Sequence, residues 1–283
     1  MSSAGVGARY GRLKGPPYVL FSSLANLVRY RGLVQSLVAR ELKARYRGSV
    51  LGFFWSFINP LMLLLIYTFV FAVVLPAMHS KEIEPFALFM FCGILPWTWF
   101  SSSLAEAAGS LISGGNLIKK VLFPAEILPL VSVLANMIHF FLGLPILIGF
   151  LVYYQRWPDA WDLVWFPVTV LVQLVFTAGL ALILSALTVH FRDIRDILSN
   201  VLTLWFFSTP ILYWITEAPG FSKRVLDLNP MTHVVVSYQE ILFFRGPIGH
   251  WKWLLATGGA SAVLFLAGVW LFDRLRDSFA EAV

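Results

Sequence analysis

Five stretches of the chain, 50–76, 86–108, 128–153, 163–189 and 253–272, are apolar with few interruptions. Each is long enough to cross about 30 Å of hydrocarbon as an α-helix, at about 1.5 Å of rise per residue. A sixth stretch, 197–215, just reaches that length and contains Asn200, Ser208, Thr209 and Pro210. Polar groups facing lipid are costly, so this helix is expected to face protein or water. The run THVVVSYQEILFF, 232–244, is short for a span; about 10–14 apolar residues read as re-entrant or interfacial. Turn signals at Asn229-Pro230 and at Gly246, Pro247 and Gly249 bracket it. Six spans also keep the basic N-terminal region on the same side as Arg274 and Arg276. The pattern predicts an all-α integral membrane protein: six transmembrane helices, with a re-entrant segment, 219–251, before the last.

Upstream of the first span the period changes. Leu33, Val34, Leu37 and Val38 recur at helical spacing from Tyr30, while Arg29, Ser36, Arg40, Lys43 and Arg47 gather opposite. This predicts an amphipathic helix within 26–49, its apolar side in the headgroup boundary and its cations outward. Glu41 falls near the middle of the apolar face, level with Tyr30 and Val34. A lone carboxylate at a lipid boundary is costly. Two explanations stay open: pairing with Arg45 four residues on, or a protein partner in place of lipid. Residues 1–25 are expected to be a mobile cytoplasmic tail, and 50–283 a single transmembrane domain.

Composition agrees with the pattern. Of 283 residues, 59% are hydrophobic and 13% charged, against about 25% charged in soluble domains. The net charge of +6 does not point to nucleic acid, because the cations flank apolar runs. With six spans, fifteen Lys and Arg lie on the N-terminal side and six on the other. That asymmetry predicts cytoplasmic termini. The first 49 residues hold no signal-peptide core, and the single cysteine, Cys92, permits no intrachain disulfide. No convincing internal repeat is visible, which disfavours an inverted-repeat transporter.

The missing chemistry also narrows the function. No G-x-x-x-x-G-K-[ST] motif occurs, so the chain does not bind ATP through a P-loop. The five histidines show no metal-ligand spacing. His139 lies within a span with Asn136 one turn earlier, which suggests a helix–helix hydrogen bond. No Asp, Glu, Lys or Arg falls well inside a span, and Glu106 sits near a cytoplasmic end. Ion-driven pumps usually bury such a residue, so the driving energy is expected from elsewhere. Glu82 and Glu84 read as a solvated turn. Asp193 and Asp196, interleaved with Arg192 and Arg195, read as mutually paired.

Three groups of residues occur in a recognisable order. The first is Arg40-Glu41-Leu42-Lys43 and Arg45-Tyr46-Arg47-Gly48-Ser49-Val50-Leu51-Gly52, followed by Trp55 and Asn59-Pro60. The second is Leu95-Pro96-Trp97, then Asn116-Leu117-Ile118-Lys119-Lys120-Val121 and Phe123-Pro124. The third is Phe191-Arg192-Asp193-Ile194, then Thr209-Pro210-Ile211-Leu212-Tyr213 and Asn229-Pro230-Met231. Together they resemble the type-2 ATP-binding-cassette exporter permeases for O-antigen, capsule and teichoic acid, from about Leu33 to the C-terminus. Ala125, Thr209 and Gln239 depart from the family pattern, where a basic residue, a serine and an arginine are common.

The resemblance implies a bacterial inner-membrane permease for a lipid-linked polysaccharide. Two copies would form the pathway, and two P-loop ATPase subunits would bind ATP and Mg on the cytoplasmic face; this chain would hold no cofactor or metal. It would contact the ATPase through Arg40, Glu41, Lys43 and Arg47, and through Asn116, Leu117, Ile118, Lys119, Lys120, Phe123, Pro124 and Glu126. Aromatic faces stack on sugar C–H faces while tolerating sliding. The candidate path therefore comprises Trp55, Ser56, Phe57, Asn59, Tyr67 and Phe71, with Trp205, Ser208, Thr209, Tyr213 and Trp214. Packing and interfacial belts compete for the same aromatics. An outer gate would use Asn229, Pro230, Met231, Tyr238 and Gln239. The rival readings are an integral membrane enzyme acting on lipid-linked sugars, or a small-molecule or drug exporter of the same architecture.

Overall fold

The computed structural model describes residues 29–74, 81–115, 124–217, 220–244 and 248–282. The expected tail, 1–25, and the loop residues Asn116 to Phe123 lie outside them. The described residues contain helices and no strand. In chain order the helices are α1 (Arg31–Arg45), α2 (Trp55–Thr68, continued as a π-helix through Phe69–Val74), α3 (Phe86–Ser113) and α4 (Ile127–Tyr153). Then follow α5 (Ala160–His190), α6 (Ile194–Phe207), α7 (Gly220–Asp227), α8 (Pro230–Leu242) and α9 (Trp251–Ala282).

Among the described residues, four helices are long and apolar enough to cross a membrane: α3, α4, α5 and the Trp251–Arg276 part of α9. Their positions match the second, third, fourth and last predicted spans, and α9 runs ten residues beyond the expected 272. α2 is a shorter apolar helix. α6 corrects the expected 197–215 span. It begins at Ile194 and ends at Phe207, leaving 208–214 outside regular helix. Pro210 has no N–H to continue the ladder, and it disfavours the α conformation at Thr209. At 14 residues α6 reaches about 21 Å.

α3 forms the centre. Most of it from Phe86 to Leu111 is buried, against α4, α5 and α8, while α9 lies at the edge and buries mainly the face toward α5. α5 and α9 approach each other closely. A Cβ on Gly179 would lie 2.9 Å from the backbone of Phe265, and one on Gly268 2.7 Å from the Gly179 carbonyl oxygen. Small residues allow such backbone approach where packing and not water drives helix association.

The turn between α1 and α2 uses Gly48 and Gly52, at φ of 78° and 49°, in the left-handed region that side chains disfavour. α1 itself corrects the lipid-facing expectation. Leu37 and Val38 are buried against Ile127, Val131 and Ala135 at the start of α4, with Tyr30, Leu33 and Val34 around them. Its apolar stripe is satisfied by protein. At the opposite end, Asn229 caps α8, its side chain accepting from Met231 N at 3.0 Å with Pro230 in the first turn.

Candidate functional site

α1, α3 and α4 meet around a polar cluster that joins the two groups of candidate residues. Arg45 donates from Nη2 to both oxygens of Glu106, at 2.7 and 2.8 Å, and from Nη1 to Asn136 Oδ1 at 3.0 Å. Asn136 Nδ2 donates to Glu106 Oε2 at 2.8 Å, closing the triangle. Next to it, the Tyr46 hydroxyl is hydrogen-bonded to Ser56 Oγ and lies 3.2 Å from His139 Nδ1. A planar guanidinium that gives one nitrogen to a carboxylate and the other to an amide oxygen fixes direction as well as charge. The cluster therefore ties the end of α1 to two spans.

These bonds decide several sequence expectations. Arg45 does not pair with Glu41; it reaches Glu106, and among the described residues no ion pair engages Glu41. Instead Glu41 is half-buried on a cavity of about 460 Å³ that Arg40, Glu106 and Arg195 also line. His139 and Asn136 do make bonds between helices, as expected. The cluster as a whole was missed. Its traces were Asn136 and His139 one turn apart in an apolar helix, and a carboxylate, Glu106, near the end of another.

The other expected ATPase contacts divide. Arg40, Lys43 and Arg47 are exposed. Asn116, Leu117, Ile118, Lys119, Lys120 and Phe123 lie outside the described residues. Pro124 and Glu126 are buried, Glu126 being 8% exposed with Arg276 Nη2 of α9 3.8 Å from its Oε2. Ser278 near the end of α9 meets His190 Nε2 at 3.0 Å, and Phe279 is enclosed beside Ala125 and Leu128. The end of α9 thus braces the beginning of α4.

The path candidates fall into three places. Ser56 and Asn59 line a small cavity of about 130 Å³ at the polar cluster, with Trp55 at its rim donating to Ser49 Oγ at 3.0 Å. Phe57 is half-buried on α2, and Phe71 lies on the π-helical continuation. Tyr67 reaches a second, wider cleft of about 420 Å³ between α2, α3 and α6. Its ring stacks on Phe206, with centroids 5.8 Å apart and planes at 27°. Trp97 and the hydroxyls of Thr98, Ser101, Ser102 and Thr203 share this cleft.

Trp205, Ser208 and Thr209 are drawn instead into the join between α6 and α8. Asn229 Oδ1 accepts from Trp205 Nε1 at 2.7 Å, while its Nδ2 donates to Ser208 O at 2.8 Å and Thr209 Oγ1 at 3.1 Å. One asparagine thereby satisfies polar groups freed where α6 breaks. Tyr213 donates to Phe207 O at 3.2 Å, and Trp214 packs on Phe244.

Among the outer-gate candidates, Met231, Tyr238 and Gln239 are fully buried, Tyr238 against Phe140 and Phe166 and Gln239 donating to Pro210 O at 2.8 Å. Asn229 and Pro230 are half-buried at the head of α8. Two polar links, the first of them buried, had no sequence signal. Gln173 Nε2 donates to Pro96 O at 2.7 Å. Arg156 donates to Glu84 O at 2.8 Å and Phe243 O at 3.3 Å.

The HFRDIRDI segment also differs from expectation. No ion pair within 4.0 Å joins Asp193 or Asp196 to Arg192 or Arg195. Arg195 turns to α3, where its Cζ would meet a Cβ on Gly109 at 3.3 Å. Among the described residues no cluster of three or more His, Cys, Asp or Glu side chains is arranged for a metal.

Comparison with known proteins places this arrangement. The profile of the "ABC-2 type transporter" family matches residues 32–243. The "O-antigen export system permease protein RfbA" of Myxococcus xanthus is 45% identical over 91% of this chain and 97% of its own length. A protein of the same name from Klebsiella pneumoniae is 32% identical, covering 88% and 94%. The "Polysialic acid transport protein KpsM" of Escherichia coli is 25% identical, covering 73% and 80%. With α2 through α8 and all but the first residue of α1 inside the matched region, the chain belongs to the ABC-2 type transporter membrane family.

Proposed function

We propose that the chain is the transmembrane subunit of an ATP-driven exporter that moves a lipid-linked polysaccharide, of O-antigen type, across the cytoplasmic membrane. It is not itself an enzyme; hydrolysis belongs to a partner. The observation that carries this reading is the cleft between α2, α3 and α6, where the stacked pair Tyr67–Phe206 stands among four hydroxyl side chains. Thr98 and Thr203 donate their hydroxyl hydrogens back to Ile94 O and Ser199 O, at 2.8 and 3.0 Å. Their oxygen lone pairs remain able to accept from sugar hydroxyls. Aromatic faces and acceptors without fixed charge suit a polymer that must slide rather than stay bound.

In this reading α2 and α6 act as the first and fifth of six spans, and α7 with α8 forms the re-entrant outer segment. The cation asymmetry supports cytoplasmic termini. Two copies, each contributing its α2–α6 face, enclose the path, and two P-loop ATPases that bind ATP and Mg dock below. Their contacts are the exposed face of α1, with Arg40, Lys43 and Arg47, and the segment from Asn116 to Glu126.

The test is surface polymer in cells producing Tyr67→Ala or Thr203→Val, with co-purification of the ATPase as the assembly control. Export should fall while the complex persists. Wild-type surface polymer from the double variant would defeat the assignment of this path.

A further inference from the structure

The cleft has a basic foot. Below the level of Thr203 and Phe206, the same two helices, α3 and α6, border a cavity of about 520 Å³ whose lining includes Ala105, Ile112, Arg192, Arg195, Leu198 and Ser199. Residues one to three turns further along each helix line the upper cleft: Trp97 and Ser101 on α3, Leu202 and Phe206 on α6. From Arg195 to Phe206 the distance along the axis is about 16 Å. The two spaces are thus successive levels of one groove, hydroxylated and aromatic above, cationic below.

The two guanidinium groups are not neutralised locally. Among the described residues no carboxylate comes within 4.0 Å of either. Asp196 shares the lining, which leaves two positive charges against one negative. A purely topogenic arginine needs only to reach the headgroup layer. Arg195 does otherwise: it crosses to α3 and lies along Gly109, where any side chain would crowd it. It also borders the neighbouring cavity, which Arg40, Glu41 and Glu106 line and where neither carboxylate comes within 4.0 Å of it. The walls beside the cations are apolar, through Ala105, Ile112 and Leu198. The foot therefore offers a place for an anion attached to something apolar.

We propose that Arg192 and Arg195 form the receiving site for a phosphate or pyrophosphate group carried on a lipid, the group linking the cargo's sugar chain to its lipid anchor. Guanidinium forks bind phosphate oxygens through paired N–H donors. Held there, the anionic linkage would place the sugar chain at the entrance to the Tyr67–Phe206 cleft. This site rests on the export function proposed above and deepens it.

The experiment is a binding titration on the full-length chain in neutral phosphatidylcholine nanodiscs. The probes are farnesyl pyrophosphate, inorganic pyrophosphate, and phosphatidylglycerol mixed into the disc. Farnesyl pyrophosphate should bind more tightly than inorganic pyrophosphate, and phosphatidylglycerol should compete weakly. Arg192→Gln and Arg195→Gln should each weaken farnesyl pyrophosphate by about tenfold, Arg192→Lys by less, and Lys252→Gln not at all. Since Arg195 also packs on α3, Arg192→Gln is the variant that tests the charge with least risk to folding. Equal displacement by phosphatidylglycerol would reassign the site to ordinary headgroups and overturn the carrier proposal. Tighter binding of inorganic pyrophosphate would overturn the lipid requirement. Unchanged affinity in the double glutamine variant, with polymer still at the cell surface, would overturn the site and leave the export function standing. Arginine-dependent binding by a chain that exports no polymer would overturn the function and leave the site.

Discussion

Arg45 holds Glu106 through two short bonds from a single nitrogen, 2.7 and 2.8 Å, joining α1 to α3 across 61 residues of sequence. Asn136 of α4 completes the contact by bonding both partners. Arg45→Ala leaves Glu106 with Asn136 alone. The two side chains are 28% and 33% exposed, so water screens part of the loss. The expected cost is about 1–2 kcal/mol, read as a lower Tm in detergent. Arg45→Lys should recover only part, because an ammonium cannot reproduce the fork. An unchanged Tm for Arg45→Ala would show that the cluster is incidental to stability.

The α5–α9 crossing should tolerate no added carbon at Gly268. Its Cβ would fall 2.7 Å from the Gly179 carbonyl oxygen, a backbone atom that cannot swing aside. Gly268→Ala is expected to cost about 1–3 kcal/mol as the helices are forced apart. Gly259→Ala, on the same helix with nothing within 4 Å, is the matched control and should be neutral or slightly stabilising. Equal thermal stability of the two variants would contradict the close approach.

Acidification should loosen the contact between α8 and the start of α9. His233 Nε2 donates to Asp227 O at 2.9 Å, so its Nδ1 accepts from His250 Nε2 at 2.8 Å, and His233 stacks on Trp253. Burial lowers the pKa of both imidazoles, and the His233 ring further disfavours charge on His250; Asp227 partly offsets this at each. Burial also raises the pKa of Glu240, which accepts from His250 N at 2.9 Å. For the histidines the folded pKa lies below the unfolded value of about 6.5. Their contribution is therefore complete above that value and is lost as pH falls below it, where the unfolded chain takes up protons first. Tm measured from pH 7.5 down to 5.5 should decline less steeply in His250→Gln than in the parent. Parallel curves would refute the linkage.

Arg156 acts as a clasp between the start of α3 and the end of α8. It bonds the carbonyls of Glu84, just before α3, and Phe243, just after α8, and its guanidinium lies 4.7 Å from the centre of the Phe243 ring. Arg156→Ala should release both carbonyls together. Hydrogen exchange should then speed up at 86–89 and 241–244 while the middle of α4 stays protected. Faster exchange throughout α4 would indicate general unfolding instead.

The long spans were legible because the bilayer imposes a length and a composition that the chain must show on its surface. α3, α4, α5 and α9 follow the apolar runs to within a few residues at most of their ends. The amphipathic period of α1 was visible for the same reason, being a local property of the backbone and its side chains. Even so, the apolar stretch through 215 concealed the fact that α6 stops at Phe207, because hydropathy does not distinguish a helix from an apolar turn.

What covers a surface and what neutralises a charge were settled only by tertiary structure. The apolar face of α1 meets α4 and not lipid; Arg45 answers Glu106 and not Glu41; Arg195 leaves both aspartates and crosses to Gly109. Asn229 serves three groups of the α6 break from across a gap of about twenty residues. Each of these choices compares a near neighbour in sequence with a distant residue in space. Periodicity and charge order along the chain determine which groups need a partner, whereas the packing of the helices decides which partner comes within bonding distance.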